Sequence, residues 1–117
     1  MLERDIEKPS KEKARRSGWF VRKYKSPGNR SAPDDLFAKC SRIFFTEFKA
    51  TGKTPTPLQA DEHRQMREAG LTVYWTDSRD GFLWILDREE TALKEHLRTR
   101  PGMGVTGDYP NLVFHDV

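Results

Sequence analysis

The chain has 117 residues, which is enough for one domain with a single hydrophobic core and too few for two. Hydrophobic residues make up 35% and charged residues 33%, so the composition is that of a globular domain and not of a disordered segment. No stretch approaches the roughly 18 apolar residues of a membrane span, and the N-terminal residues lack the apolar core of a secretory signal. We therefore expect a cytoplasmic protein without membrane contact. Its single cysteine, Cys40, excludes an internal disulfide and a cysteine-based metal site.

The net charge of +3 is modest, but the basic residues are concentrated in one segment. Residues 8–30 contain nine lysine or arginine residues and one acidic residue, Glu12. Such a block is often only a solvated surface. It is also the charge distribution that binds a phosphate backbone, since each neutralised phosphate releases counterions.

The first element is predicted to be a helix. Leu2 and Ile6 lie four residues apart, which is the spacing of one helical face. Pro9 lacks a backbone donor, so we expect either a short first helix or a second helix that starts at Pro9 and runs to Arg16. Gly18 is expected to end the helix.

Three strands are predicted next, over residues 19–24, 34–40 and 42–50, because these segments are rich in aromatic and β-branched residues. Residues 25–33 form a loop by their Pro, Gly, Asn and Ser content. The second and third strands meet at a short turn near Ser41 and should form a hairpin. We expect the third strand to be central, with its side chains alternating between two faces. One face carries Phe44, Thr46 and Phe48, and the other carries Phe45, Glu47 and Lys49.

The second half of the chain predicts helix, strand, helix. Residues 57–70 form a helix that begins with Pro57 and ends at Gly70, with an apolar stripe. The stripe consists of Leu58, Met66 and Ala69. Residues 71–76 form a strand parallel to the third, and residues 78–99 form a helix that Ser78 or Asp80 can cap. For residues 101–117 we expect a loop and a weak terminal strand. The fold class is α/β, with a central mixed sheet flanked by helices.

Glu47 and Lys49 are the residues that suggest chemistry. Two residues apart on a strand, they share one face about 7 Å apart. An edge strand whose second face meets water would explain them without any function. Asp34 and Asp35, however, open the neighbouring hairpin strand, and carboxylates from adjacent strands are ligands that suit Mg²⁺ or Mn²⁺. A lysine beside such a metal can position a water or stabilise charge on a phosphate.

These residues resemble a known family. Pro33-Asp34, followed by Glu47-Phe48-Lys49 on the next strand, resembles the core motif of the PD-(D/E)xK nucleases. The stretches KYKSPGNRSAPD, FFTEFKATGKTPTPLQ and MREAGLTVYWTDS are similar to the VRR-NUC domain, the virus-type replication-repair nuclease branch. The likeness covers residues 3–78. The chain departs from the pattern where it has Ser31 in place of a glycine. The start Glu3-Arg4-Asp5-Ile6 also resembles that of stand-alone Holliday-junction resolvases.

The resemblance implies a single VRR-NUC domain over residues 1–117, with a restriction-endonuclease-like core at about 3–98 and a tail at 101–117. It implies a structure-selective endonuclease that uses Mg²⁺ or Mn²⁺ to hydrolyse phosphodiester bonds in branched DNA such as four-way junctions. Homodimers, DNA repair or replication, and the cytoplasm of a bacterial or phage-infected cell are implied as well. The alternatives are a non-catalytic DNA-binding module with the same fold, or a structural phage or plasmid protein.

The same resemblance assigns site residues. Asp34 and Glu47 would bind the metal together with the backbone carbonyl of Phe48, Lys49 would be the catalytic lysine, and Gln59 would face the site from the following helix. An acid from the first helix would join them, directly or through water: Glu3, with Glu7 as the alternative. Asp35 is taken as the outward neighbour of Asp34. The expected DNA contacts are Arg15, Arg16, Arg22, Lys23, Lys25, Ser26, Arg30 and Lys53.

Four other features carry expectations. His63 should face solvent, with a supporting role at the site as the alternative, and His96 and His115 should lie at the surface. Trp19, Trp75 and Trp84 could stack on unpaired bases, but core packing is expected for Trp75 and Trp84. The helix at residues 81–97 is the expected dimer interface, because its five apolar residues at 82–86 hold more apolar surface than one core face needs.

Overall fold

The structure, a computed structural model, describes residues 1–99. The expectations for the tail at 101–117, and for the side chains of His96 and His115, lie outside the described part. Within these residues, three helices and four strands follow one another. They are α1 (Glu3–Arg16), β1 (Phe20–Lys23), β2 (Asp35–Lys39), β3 (Arg42–Phe48), α2 (Pro57–Glu68), β4 (Val73–Thr76) and α3 (Arg79–Thr99).

The four strands form one sheet in the order β1-β2-β3-β4. β1, β2 and β3 are antiparallel neighbours, and β4 runs parallel to β3. The predicted α/β fold with a mixed sheet is confirmed, and so is the central position of β3. Helix α2 supplies the crossover that a parallel pair requires. None of the described helices is long and apolar enough to cross a membrane.

The hairpin between β2 and β3 has a two-residue turn, as predicted near Ser41. Cys40 and Ser41 both have positive φ, 47° and 74°, which is the conformation of the tight turns that join twisted antiparallel strands. Lys39 pairs with Arg42 across the turn, and Asp35 pairs with Thr46 further along. The turn thereby sets which residues of β2 and β3 lie side by side.

The main core lies between the sheet and helices α1 and α3. Alternation along β3 sends Phe44 and Phe48 to this side, as expected from the sequence. Phe44 stacks on Phe37 with ring centroids 4.7 Å apart, and Phe82 of α3 packs against Phe37 and Phe48. The other buried members are Ile6, Ala14, Trp19, Val21, Ile85 and Leu86. A smaller cluster of Phe45, Met66 and Val73 lies on the opposite face, beneath α2.

Pro9 does not interrupt α1, so the prediction of a break was wrong. A proline cannot donate to the carbonyl four residues earlier, which is that of Asp5. In the structure the guanidinium Nε of Arg79, on α3, donates to this carbonyl at 3.2 Å. The hydroxyl of Ser10 also donates to the carbonyl of Ile6 at 2.6 Å. The helix therefore continues to Arg16 and ends before Gly18, whose φ is +91°.

The predicted apolar stripe of α2 was also wrong in two of its three residues. Leu58 is 73% exposed and Ala69 is exposed, while Met66 is buried together with His63. The start of the helix is as expected, with Pro57 in the first turn and a capping box between Thr56 and Gln59. This helix covers only part of its sheet face, so few of its residues need to be apolar.

Helix α3 begins where predicted, with Ser78 as the cap: its hydroxyl accepts from the backbone N–H of Gly81 at 2.9 Å. Three of the apolar residues assigned to a dimer interface are in the core instead, namely Phe82, Ile85 and Leu86. Their burial accounts for most of the apolar surface that residues 82–86 carry.

Candidate metal centre

Three carboxylates from three separate elements converge at one end of the sheet. Glu3 comes from the first turn of α1, Asp34 directly precedes β2, and Glu47 lies near the end of β3. One oxygen of each lies within 4.8 Å of the other two. These are the three acids that the resemblance assigned to a metal, with Glu3 and not Glu7 from the first helix. We call them the acidic cluster.

The strand register explains why Asp34 and Glu47 meet. Asp35 pairs with Thr46 in an antiparallel ladder, so the preceding residue, Asp34, comes opposite Glu47. The backbone N–H of Phe48 donates to Asp34 Oδ2 at 2.8 Å and holds this carboxylate in place. The placement of the acids therefore follows from the hairpin.

The electrostatics of the acidic cluster favour a cation. Burial raises the pKa of Asp34 to about 8, and the nearby charges of Glu47 and Glu3 raise it too, against the hydrogen bond from Phe48. Glu47 is 3% exposed, and its Oε1 has no hydrogen-bond partner among the described residues. A buried carboxylate oxygen without a donor is costly unless a cation compensates it. The three acids thus fit a hard divalent ion.

Lys49 lies beside the acidic cluster. Its Nζ is 3.9 Å from Glu47 Oε2, and its side chain is mostly buried. The two residues share one face of β3, as the alternation predicts. The lysine therefore brings a positive charge to the same cleft as the acids.

His63 was expected to face solvent, and this expectation was wrong. The side chain is 4% exposed, and its Nε2 lies 3.7 Å from Glu47 Oε1, on the face of β3 that α2 covers. At this distance the two atoms are not hydrogen-bonded, and Nε2 has no hydrogen-bond partner in the described part of the chain. The sequence held one signal for this contact: His63 is one helical turn after Gln59 and three residues before the buried Met66.

Gln59 has a structural role at the start of α2. Its side-chain oxygen accepts from the backbone N–H of Thr56 at 2.9 Å, and its own N–H donates to the Thr56 hydroxyl at 3.2 Å. The acidic cluster forms without Gln59. The contact from α2 to Glu47 that the structure shows is that of His63.

A second group of charged residues lies on the opposite face of β2. Asp35 is fully buried, so its description as an outward neighbour was wrong. It does point away from Asp34, but α1 covers the face it points to. The Lys11 Nζ lies 3.0 Å from Asp35 Oδ1, and the Lys23 Nζ lies 3.0 Å from Glu7 Oε2. Glu7 belongs to this group and not to the acidic cluster.

The pKa values of the two acids in this group move in opposite directions. Burial raises the pKa of Asp35 to about 7, the neighbouring Glu7 raises it too, and Lys11 lowers it. For Glu7, burial acts to raise the pKa, but its hydrogen bond with Asp35 and its ion pairs with Lys23 and Lys11 outweigh this, so the pKa lies below the ordinary value. Of the two acids, Asp35 is therefore the one that is protonated more readily.

Several predicted DNA contacts line two surface cavities. Arg15 and Lys23 line a cavity of about 260 Å³ along α1, and Lys25, Ser26 and Arg30 line another of about 370 Å³ in the loop before Asp34. The first cavity is also lined by Arg4, Lys8 and Lys11, which were not among the predicted DNA contacts, and by the acids Glu7 and Glu12. Arg22 lies over the ring of Phe20, and Arg16 and Lys53 are exposed elsewhere.

Comparisons with known proteins agree with this geometry. No family model matches the chain. A phage protein named "Putative nuclease p44", from Acyrthosiphon pisum secondary endosymbiont phage 1, is 40% identical over 79 residues, which are 67% of this chain and 85% of that protein. A solved structure named "VRR_NUC domain" matches with a TM-score of 0.67 at 30% identity, over 73% of this chain and 94% of that one. The chain belongs to the VRR-NUC family.

The tryptophans of this VRR-NUC chain are placed contrary to expectation. Trp19 is the buried one: its Nε1–H donates to Glu90 Oε1 at 2.7 Å, and its ring packs edge-on against Phe44. Trp75 and Trp84 were expected in the core, yet they are 42% and 60% exposed. Trp75 is on the edge strand β4, where it pairs with Glu47 on the face opposite to the main core.

Proposed function

We propose that this VRR-NUC chain is a divalent-metal-dependent endonuclease that hydrolyses phosphodiester bonds in branched DNA, such as four-way junctions. The observation that carries the proposal is the acidic cluster, in which a buried and unpartnered oxygen of Glu47 lies beside Asp34, Glu3 and Lys49. A nuclease function accords with the name of the phage relative and with the VRR-NUC fold.

Glu3, Asp34, Glu47 and the backbone carbonyl of Phe48 would hold Mg²⁺ or Mn²⁺. All four offer oxygen ligands, which these hard cations prefer to nitrogen or sulfur. When bound, such an ion supplies a Lewis acid that activates water and stabilises the charge of the phosphate undergoing attack. Asp34 must be ionised to bind it, so the raised pKa of this residue implies that metal binding releases a proton.

Lys49 and His63 would act from the chain itself. The ammonium of Lys49 can hold a water or a phosphate oxygen next to Glu47, where positive charge stabilises a developing negative charge. His63 presses against Glu47 from the α2 side and limits the orientations that this carboxylate can adopt. The buried setting of both side chains keeps the carboxylate preorganised.

The DNA backbone would run along the two basic cavities. The cavity along α1 includes Arg4 and Glu7, within one helical turn of Glu3, so DNA bound there would lie near the end of α1 that contributes an acid to the cluster. The loop cavity lies just before Asp34 in the chain and approaches the acidic cluster from the β1 side. Contacts of this kind hold phosphates without reading base sequence, which suits an enzyme that selects DNA by its structure.

A homodimer is part of the proposal. Cutting both strands of a two-fold symmetric junction requires two sites related by the same symmetry. Such an enzyme would act in the cytoplasm of a bacterial or phage-infected cell, as the phage origin of the relative suggests. The second candidate function is a DNA-binding module without catalysis. A clustered set of three acids and a lysine favours the enzyme, because a pure binding site gains nothing from negative charge next to phosphates.

Cleavage assays test the proposal directly. Labelled four-way junction, flap and linear duplex substrates are incubated with Mg²⁺, Mn²⁺ or EDTA. We expect metal-dependent cutting by the wild type, no cutting by Glu47→Gln, and wild-type cutting by Glu68→Gln, which changes an exposed acid at the far end of α2. Cutting in EDTA, or equal cutting by Glu47→Gln, would contradict the metal centre. Binding of DNA without any cutting would favour the binding module.

A further inference from the structure

Four side chains form a row across the sheet, with the acids in the middle and an aromatic residue at each end. Glu47 of β3 pairs directly with Trp75 of β4. Asp34 comes opposite Glu47 on the other side, and its carbonyl accepts from the N–H of Tyr24 at 2.8 Å. The row therefore reads Tyr24, Asp34, Glu47 and Trp75 from one edge of the sheet to the other.

Trp75 and Glu47 lie on the same face of the sheet. Val73, two residues before Trp75, packs against Met66 of α2, and side chains two apart on a strand share a face. Glu47 meets His63 of the same helix. Neighbouring strands are about 4.8 Å apart, so the indole is attached one strand spacing from the glutamate of the acidic cluster.

The indole of Trp75 is open to solvent, although it is the largest apolar side chain next to the acidic cluster. It is 42% exposed, whereas Val73 on the same strand is 7% exposed. β4 is the edge strand of the sheet, so within the described chain no further strand lies beyond it. An exposed fraction of this size leaves about 100 Å² of a tryptophan uncovered, which is comparable to one face of a nucleobase.

The aromatic residue at the other end of the row is not available in the same way. Tyr24 is half-buried and packs edge-on against Phe45, with ring centroids 4.9 Å apart. It borders the loop cavity that Lys25, Ser26 and Arg30 line. The two ends of the row thus differ: the β1 end offers cations and backbone, and the β4 end offers an exposed aromatic side chain.

We infer that Trp75 stacks on an unpaired base next to the phosphate that lies at the acidic cluster. This inference rests on the proposed nuclease function and specifies its substrate class. Both faces of a base inside a duplex are covered by its neighbours, so a tryptophan can stack only on a base that is single-stranded, flipped or at a strand end. The preferred substrates are therefore DNA with unpaired nucleotides directly beside the cut, on the β4 side of the site.

Binding measurements in EDTA test the inference apart from cleavage. Fluorescence anisotropy is measured for one labelled duplex and for the same duplex with a short single-stranded gap. Base stacking on an aromatic residue is worth about 1–3 kcal/mol, so Trp75→Ala should weaken binding to the gapped DNA by about 5- to 100-fold and leave the intact duplex within about twofold. Trp75→Tyr keeps an aromatic ring and should restore most of the loss.

Trp84→Ala is the matched control, since Trp84 is an even more exposed indole, at 60%, and lies on α3 and not on the edge strand. It should bind both DNAs like the wild type. Circular dichroism and thermal melting check that each variant is folded. Equal losses on gapped and intact DNA, or a loss in Trp84→Ala as large as in Trp75→Ala, would overturn the inference.

Cleavage in Mn²⁺, measured on the same substrates, separates the inference from the proposed function. If the wild type cuts the gapped DNA and Trp75→Ala cuts it with an unchanged KM, the stacking role is wrong while the nuclease stands. If the wild type cuts neither DNA, but its preference for binding gapped DNA is absent in Trp75→Ala, the nuclease proposal is wrong while the stacking role stands.

Discussion

Replacing Asp34 by asparagine should stabilise the metal-free protein and at the same time abolish its stabilisation by metal. The amide is nearly isosteric with the carboxyl, and its oxygen can still accept the N–H of Phe48. Above about pH 8, where Asp34 is ionised, what disappears is one of three negative charges whose oxygens lie within 4.8 Å of one another. Two unit charges at that distance repel by about 3.5 kcal/mol at an effective dielectric constant of about 20. Because Glu3 is exposed and screened, we expect a gain of about 2 kcal/mol.

The gain should depend on pH with a definite sign. The pKa of Asp34 is about 8 in the folded protein and about 3.9 in an unfolded chain. Between these two values the folded state keeps a proton on Asp34 that the unfolded state has lost. The stability that the protonated carboxyl allows is therefore complete below about pH 4 and is lost as the pH rises through 8. Asp34→Asn removes the loss, so its advantage should be small at pH 5 and largest at pH 9.

Thermal unfolding with EDTA or Mn²⁺ at several pH values measures both effects. A gain of about 2 kcal/mol corresponds to roughly 6–10 °C in Tm for a chain of this size. Mn²⁺ at about 100 times its Kd should stabilise the wild type by about 2.7 kcal/mol and leave Asp34→Asn unchanged. Asp35→Asn is the control, because it alters the adjacent carboxyl on the other face and should keep the response to Mn²⁺. An Asp34→Asn protein that is no more stable at pH 9, or that still responds to Mn²⁺, would refute the reasoning.

Three further changes have defined outcomes. Glu89 of α3 is fully buried and accepts two hydrogen bonds from the partly exposed Arg42 guanidinium, at 2.6 and 3.1 Å. Glu89→Ala removes both, so urea unfolding should show a loss of about 2 kcal/mol with an unchanged m-value, and a loss below about 1 kcal/mol would contradict this. Gly81→Ala places a methyl group against the buried Thr76 hydroxyl, so urea unfolding should show a loss of stability of about 1–3 kcal/mol. A neutral result would mean that the start of α3 shifts freely. Arg15→Ala should reduce the slope of log affinity for duplex DNA against log salt by about 1, and an unchanged slope would remove the cavity along α1 from the DNA path.

The order of the elements could be predicted because the local patterns were strong. Alternation along residues 42–48 specified both faces of β3 and hence its central position. The same alternation, combined with a tight turn near Ser41, predicted that either Asp34 or Asp35 would lie at the same end of the sheet as Glu47, and the family resemblance selected Asp34. These inferences need only strand geometry and a turn length, both of which are local properties of the chain.

The errors have a common cause in contacts between distant parts of the chain. Pro9 is tolerated because Arg79, seventy residues later, donates to the carbonyl that the proline leaves free. His63 is buried because α2 docks on Glu47, and Asp35 is buried because α1 covers the far face of β2. Trp75 is exposed because β4 is the edge of the sheet. No local pattern reports which helix covers which side chain.

The two-residue turn at Cys40 and Ser41 has a consequence for how such a chain can vary over evolution. It lies at the opposite end of the hairpin from the acidic cluster, yet it decides that Asp34 comes opposite Glu47. One residue inserted there would exchange the faces of Asp34 and Asp35 relative to Glu47 and dismantle the site without changing any of its members. Insertions at 25–33 or 50–56 leave this pairing intact. Relatives should therefore keep the length of the distant turn more strictly than its sequence, and vary freely in the length of the loops that adjoin the site.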